Sequence, residues 1–453
     1  MSDNQAITYL SGGDQLCLRC KVENAILMAR KEVFCKTCFI RFVRGKQRKQ
    51  MQDDVYKVKY GPLIEKLGVQ KVLLALSGGP SSLVLLDVIG SLLQDQFEGH
   101  NGKQGFELVI LNLDEFELNT LNKKIQDVLP ALTARYPSIG IQYKVLSLNE
   151  YILDTEMIER IIIDKEFTGF TQKLHQKHKL TDLLAMCPTK SSVEDLLTIV
   201  YDELILRTAY VEKCQTIVYG HSMTRIANEI IALTVKGRGS IVYKAISDHS
   251  VNFRDQEFKI LFPLRDVLYA EIIAYYKLVE LDQYEVQSTI AKSKITKNLT
   301  IRDLTTNYFN MLDSTGYAST ASTVVKTGEK LGKPNFNGVL ANCRVCGVEI
   351  YQDPREWLRR ITVNDSAPLE TDAEIAYSEL YKSSFPPILD TTQSTRIDIC
   401  YGCIVTLGGV KQDTGFIWPL KNDDVTGLTN NYIVTNDTQQ VLDEYILTDD
   451  EDE

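Results

Sequence analysis

The sequence contains no uninterrupted apolar run near the roughly 18–20 residues that a membrane-spanning helix requires, and no basic-then-apolar leader at its start. Both absences point to a soluble, cytoplasmic chain that is not secreted. No internal repeat is evident, so the 453 residues are to be divided among two or three unlike domains. Histidine is scarce, with five in all. The close pair, His175 and His178, has no acidic or thiolate neighbour in sequence, and reads as a solvated helix face rather than a metal site.

Acidic residues predominate overall, with a net charge of −10, but they are sparse in the first sixty residues, where 12 Lys/Arg face 6 Asp/Glu. Five bases, Arg41, Arg44, Lys46, Arg48 and Lys49, fall within 41–49. Such a run is either a solvated helix face or a patch that neutralises nucleic-acid phosphates. The opposite end, 449–453, is wholly acidic and reads as a disordered, solubilising tail.

The ten cysteines form four Cys-x-x-Cys pairs, far more than random placement gives. Cys17/Cys20 and Cys35/Cys38 make one set, and Cys343/Cys346 and Cys400/Cys403 another. Two such knuckles bring four thiolates within tetrahedral reach, the donor set of a closed structural zinc site. Two zinc ions are therefore expected, with iron–sulfur as the remaining alternative. A reducing compartment disfavours disulfides, and a redox Cys-x-x-Cys usually stands alone beside a βαβ unit. Gly347 and Gly402 stand where a knuckle turns tightly. Of the two leftover cysteines, Cys214 opens an apolar run and reads as a strand residue, while Cys187 lies in a loop.

From about residue 60 the pattern alternates. Strands are expected at 71–76, 107–113, 141–146, 216–219 and 258–262, and helices at 82–94, 119–134, 194–212, 223–235 and 267–280. Alternating βα units imply an α/β fold with an open parallel sheet covered on both faces, and ligands at the carboxyl ends of the strands. The expected division is a zinc module with its basic extension at 1–58 and the α/β domain at 59–285, carrying a polar insertion at 148–192. A connector at 286–340, a second zinc module at 341–425 and an acidic tail at 426–453 complete it.

Between the first strand and its helix lies Ser77-Gly78-Gly79-Pro80-Ser81-Ser82. A Ser/Gly loop at a helix N-terminus turns backbone N–H groups toward one point and forms a phosphate cradle. It resembles the pyrophosphate loop of the N-type ATP pyrophosphatases, Ser-Gly-Gly-x-Asp-Ser, with Ser81 in place of the family's Asp. Val218-Tyr219-Gly220-His221, with Ala227 after it, is similar to the Gly-His-Asn-x-Asp-Asp-x-Ala-Glu block of the family's tRNA-thiolating branch, although Thr224, Arg225 and Asn228 replace its acids. Lys236-Gly237-Arg238-Gly239 resembles that branch's Gly/Arg turn. Phe262-Pro263-Leu264-Arg265-Asp266, followed by Glu271, also matches in order.

The resemblance implies an adenine nucleotide α-hydrolase-like (pyrophosphate-loop) core flanked by zinc-knuckle modules. It places the chain in a complex that moves sulfur from a thiocarboxylated ubiquitin-related modifier onto C2 of the wobble uridine. The product is 5-methoxycarbonylmethyl-2-thiouridine in tRNA Lys, Glu and Gln, and the same modifier is conjugated to proteins (urmylation). That chemistry needs ATP, a Mg²⁺-organising carboxylate and a sulfur-carrying thiol. Ser81, Thr224 and Arg225 supply no carboxylate, and the branch's second core thiol is Lys190 in Cys187-Pro188-Thr189-Lys190. The expectation is a noncatalytic subunit paired as a heterodimer with a catalytic thiolase paralogue. Its Ser77, Gly78, Gly79, Ser81, Ser82, Gly220 and His221 would form a degenerate nucleotide site, with ATP binding left open. The alternative is an active ATP-dependent tRNA sulfurtransferase that borrows Asp114 or Asp266.

Overall fold

The computed structural model describes residues 6–421 except 11–14, 116–117, 119–120, 154–157, 165–166, 175–177, 287–298, 335–337, 362–370, 385–394 and 411–414. The acidic tail and His175 therefore lie outside the described residues.

At the centre is a six-stranded sheet of Gln70–Ala75 (β1), Phe106–Asp114 (β2), Ile141–Ser147 (β3), Thr216–Tyr219 (β4), His249–Phe253 (β5) and Gln256–Leu261 (β6). Its order is β5-β6-β4-β1-β2-β3. All neighbours are parallel except the edge pair β5–β6, which is an antiparallel hairpin. The chain winds outward from β1 through β2 to β3, then returns to place β4 on the other side of β1. The switch point between β1 and β4 is where such a sheet opens a crevice at its strand ends.

Both faces of this sheet are covered, which explains why β1 reads as a continuous apolar run rather than an alternating one. Val72 and Leu74 pack on one side, Leu73 on the other, and all three are fully buried. The first side carries helices Pro80–Gly99 (α2), Ile125–Thr133 (α3) and, from further along the chain, Tyr269–Leu278 (α6). Cys17, Leu27, Phe34, Phe39 and Val43 join the same core, so the N-terminal module with its helix Lys36–Gln50 (α1) is continuous with that face. The other side carries Lys190–Val211 (α4) and Met223–Val235 (α5).

Three features go beyond the sequence reading. The edge strand β5 has no counterpart among the expected strands. The stretch read as a flexible or helical connector does form helices, Ile301–Thr315 (α7) and Ser319–Gly328 (α8), but they pack on α5, burying Phe309, Ala321 and Val325. The insertion and the C-terminal module, read separately, share one four-stranded antiparallel sheet. Its order is Thr395–Ile397, Gly169–Lys173, Ile158–Ile163, Phe416–Pro419. Ile161 stands opposite Phe416. His178 occupies the irregular segment before the helix Leu180–Ala185, not a helix face. No helix among the described residues is long and apolar enough to cross a membrane.

Candidate functional site

The crevice at the switch point is built from the two loops that the sequence singles out. Gly79 is the N-cap of α2 and Pro80 its first residue, a position where the missing proline N–H costs nothing. Ser82 Oγ donates to the Gly79 carbonyl (2.9 Å) and Ser77 Oγ to Ser82 Oγ (3.2 Å), which closes the loop on itself. From the far side of the switch, Gly220 comes so close that a Cβ there would lie 2.9 Å from the Ser81 carbonyl oxygen. No side chain fits at that approach. Val286 N–H donates to the Gly78 carbonyl (3.0 Å), bringing the end of the α/β unit onto the loop.

The positions that hold acids in the resembling branch have other tasks here. Thr224 is buried, and its hydroxyl accepts from Tyr269 N–H (3.0 Å). Arg225 reaches Glu229 at 3.7 Å. Asn228 is buried against Thr305 and Thr306 of α7. Asp266 accepts from Gln50 Nε2 (2.9 Å), and its carbonyl accepts from Arg30 (2.6 Å), so it is engaged with the N-terminal module. Burial pushes the half-buried Cys187 thiol up to about 12, so it stays protonated at neutral pH. Cys214 is fully buried two residues before β4, and is shifted the same way.

His221 stacks on Phe262, with centroids 5.2 Å apart and planes at 17°, and lies 5.5 Å from the Tyr219 ring. Burial first, then the charges of Arg225 and Arg302, push its imidazole down to about 4. A histidine held neutral in the fold contributes stability that is complete above its unfolded value near 6.5 and is lost as pH falls toward 4. Wild type should therefore lose on the order of 2–3 kcal/mol between those limits relative to His221→Phe. Urea titrations of both proteins across that range test this, and parallel pH profiles would reject it.

Two cysteine clusters lie away from the crevice. In each, the four sulfurs sit within 4.8 Å of one another. Cys20 and Cys35 sulfurs are 3.8 Å apart, and Cys346 and Cys400 sulfurs 3.6 Å. A regular tetrahedron with metal–sulfur bonds of about 2.3 Å has edges of about 3.8 Å, so both clusters fit one tetrahedral metal ion. The second knuckle of each is built alike. Cys35 is the N-cap of α1, its sulfur accepting from Cys38 N–H (3.4 Å). Cys400 caps Tyr401–Leu407 (α9), accepting from Cys403 N–H (3.4 Å). A helix N-terminus thus supports the thiolate in both. Gly347 turns with φ of +75°, as the knuckle reading expects. Gly402 does not make a tight turn. It is helical and gives room to Arg238, whose Cγ would lie 2.6 Å from a Cβ at that position.

The basic run falls on α1. Arg41, Arg48 and Lys49 are exposed, and Lys46 lies 5.7 Å over the Phe42 ring. Arg48 pairs with the exposed Asp95. Arg44 differs from the rest: its guanidinium turns inward, with Nε donating to Tyr275 Oη (3.0 Å) and Nη2 at 3.5 Å from Asp87. Arg44 is therefore a core contact and leaves the phosphate-contact set. Asp87 also accepts from the Tyr136 (2.5 Å) and Tyr275 (2.6 Å) hydroxyls and lies 3.6 Å from Arg135. Sequence reading missed this cluster, although one Asp in the apolar run of α2 was a visible signal.

Comparison with known proteins completes the picture. Residues 300–405, from the start of α7 into α9, match the family model described as cytoplasmic tRNA 2-thiolation protein 2. A protein of that name from Scheffersomyces stipitis is 63% identical over 457 residues, covering 100% of both chains. One from Debaryomyces hansenii is 60% identical, covering 99% of this chain and 100% of its own. Among solved structures, the U34-tRNA thiolase NcsA from Methanococcus maripaludis with its [4Fe-4S] cluster overlaps 78% of this chain and 99% of its own, at 17% identity and a TM-score of 0.49. On the strength of the full-length identities, the chain belongs to the cytoplasmic tRNA 2-thiolation protein 2 family.

Proposed function

We propose that this protein acts in tRNA 2-thiolation as a noncatalytic subunit, beside a catalytic paralogue of the same fold. The substrate atom is C2 of the wobble uridine in tRNA Lys, Glu and Gln, and the sulfur comes from the thiocarboxylated ubiquitin-related modifier. One observation carries the reading. At the switch point the two backbone loops are in place, while neutral or cationic side chains stand at the positions that hold acids in the resembling branch. The one loop cysteine lies apart from them, packed against the core of the C-terminal sheet. Ser81 and Thr224 are hydroxyls, Arg225 is a cation, and the Cys187 thiol is held protonated. A cation at Arg225 opposes the binding of the metal ion that pyrophosphate departure requires.

Zinc is the ion proposed for both thiolate clusters, giving each terminal module a rigid base. Arg41, Lys46, Arg48 and Lys49 are proposed to meet tRNA phosphates, which position the RNA without reading its bases. The chain would thus extend the tRNA surface of its catalytic partner.

The test is the thiolation level of wobble uridines in cells. Deleting the chain should abolish it, and Cys187→Ala should leave it near wild type. Reversing Arg41, Arg48 and Lys49 to Glu should lower it, with tRNA binding that depends less steeply on salt. Purified alone, the protein should catalyse no ATP–pyrophosphate exchange. If Cys187→Ala matches the deletion, or exchange is observed, the noncatalytic reading fails.

A further inference from the structure

The block Lys236-Gly237-Arg238-Gly239 follows α5 at the end remote from His221, and the crevice makes no use of it. It turns instead toward the C-terminal thiolate centre. Arg238 is only 8% exposed. Its Nη2 lies 3.7 Å from Cys403 Sγ and 3.0 Å from Thr406 Oγ1, and its Nε lies 3.4 Å from Asp195 Oδ2. Asp195 in turn takes Lys236 Nζ (2.8 Å) and the Thr406 hydroxyl (3.1 Å). Asp195 is thus shared between Lys236 and Arg238, and Lys236 Nζ is held as well by Glu194 Oε2 (3.0 Å). The Arg238 guanidinium keeps its Nη2 turned to sulfur.

A divalent ion held by four thiolates carries a net charge of −2, and burying such a centre without a counter-charge is costly. Arg238 supplies such a charge on the Cys403 side through a planar, charged donor, while Lys421, beside Gly347 at the other knuckle, is already paired with Glu203 (2.9 Å). The N-terminal centre is differently placed. Its arginine neighbour in sequence, Arg19, points to Glu32 (3.1 Å) and over the Phe34 ring (5.0 Å). The Glu23 carboxylate lies beside Cys35.

We propose that Arg238 is the counter-cation of the C-terminal tetrathiolate centre, a positioning residue that tightens its hold on metal and damps the nucleophilicity of the Cys403 sulfur. The two centres, alike in spacing and knuckle architecture, then differ in lability, with the N-terminal one releasing its ion first. This rests on the metal reading of the C-terminal cluster given above.

The experiment uses the full chain loaded with zinc. Arg238→Gln keeps an N–H donor without the charge, and Arg238→Lys keeps the charge without the planar fork. Release to excess EDTA should speed up by about 10–100-fold for one of the two ions in the Gln variant, with the Lys variant between it and wild type. In cobalt-substituted protein, loss of the cation raises the sulfur donor levels, so the thiolate-to-cobalt charge-transfer band should move to longer wavelength in Arg238→Gln and largely return in Arg238→Lys. A merely structural role would loosen both variants alike and leave the band in place. A reading on wild type needs no variant to fold: iodoacetamide should modify Cys17, Cys20, Cys35 and Cys38 before the C-terminal four, with Cys403 last. A C-terminal centre that holds metal yet shows unchanged release and an unmoved band overturns this proposal alone. A wild-type chain holding no metal there overturns the metal reading with it.

Discussion

Cys35→Ser is expected to release one metal ion and unfold the N-terminal module, including α1. The substitution separates two roles, because serine is itself a good N-cap. The oxygen can still accept from the N–H that Cys35 Sγ accepts from at 3.4 Å, so what is lost is the metal ligand. Structural zinc contributes on the order of 10–16 kcal/mol to small modules, far more than a cap, whose loss costs about 1 kcal/mol. Leu27, Phe34, Phe39 and Val43 belong to the same core as the sheet face, so the loss should propagate into α6. With zinc proposed for both clusters, metal content should fall from two ions per chain to one, and hydrogen exchange should show lost protection across the module. A variant with one ion fewer and unchanged protection would mean that packing alone holds the module.

Asp87→Ala should destabilise the whole protein by about 3–5 kcal/mol, the range for removing one partner of a buried charge cluster. Asp87 is 2% exposed and collects Arg44 from α1, Tyr136 and Arg135 from the turn after α3, and Tyr275 from α6. Three separate stretches of chain meet at one carboxylate on α2. Removing it takes the carboxylate counter-charge from two arginines and the acceptor from two hydroxyls, leaving Arg44 its bond to Tyr275 Oη and Arg135 its bond to the Val279 carbonyl. A lowered urea midpoint with an unchanged slope is the expected signature. A change below about 1 kcal/mol would show that water replaces the carboxylate without penalty.

What the sequence disclosed followed from local signals. Strand 216–219 and helix 223–235 are found at those bounds and the other four expected core strands within two residues, whereas the antiparallel edge strand His249–Phe253 was not expected. A fully buried parallel strand announces itself as an apolar run between turn residues. The cysteine clusters were legible because tetrahedral ligation imposes short, regular spacings, even with more than fifty residues between the last two pairs. The shared antiparallel sheet was not. Gly169–Lys173 and Thr395–Ile397 are short and partly polar, and their pairing is specified by partners remote in sequence. Arg44 was misread because its charge matches that of its neighbours, and only the inward rotation at Tyr275 sets it apart. Arg238 was recognised as part of a turn, but its sulfur partner lies 165 residues away.

The pairing of Ile161 with Phe416 also sets a timetable for synthesis. At about 5–20 residues per second, roughly 250 residues of translation separate the emergence of these strands, a delay of about 12–50 s. During that interval the hairpin of Ile158–Ile163 and Gly169–Lys173 can exist with both outer edges open, and an open, apolar edge is a template for pairing with another chain. Glu159 and Arg160 interrupt the isoleucines of the first strand, charges of the kind that discourage such pairing. Ribosomes spaced closely on one message would bring several such hairpins together, so slower initiation is expected to raise the share of chains that fold; an equal soluble share at fast and slow initiation would count against this.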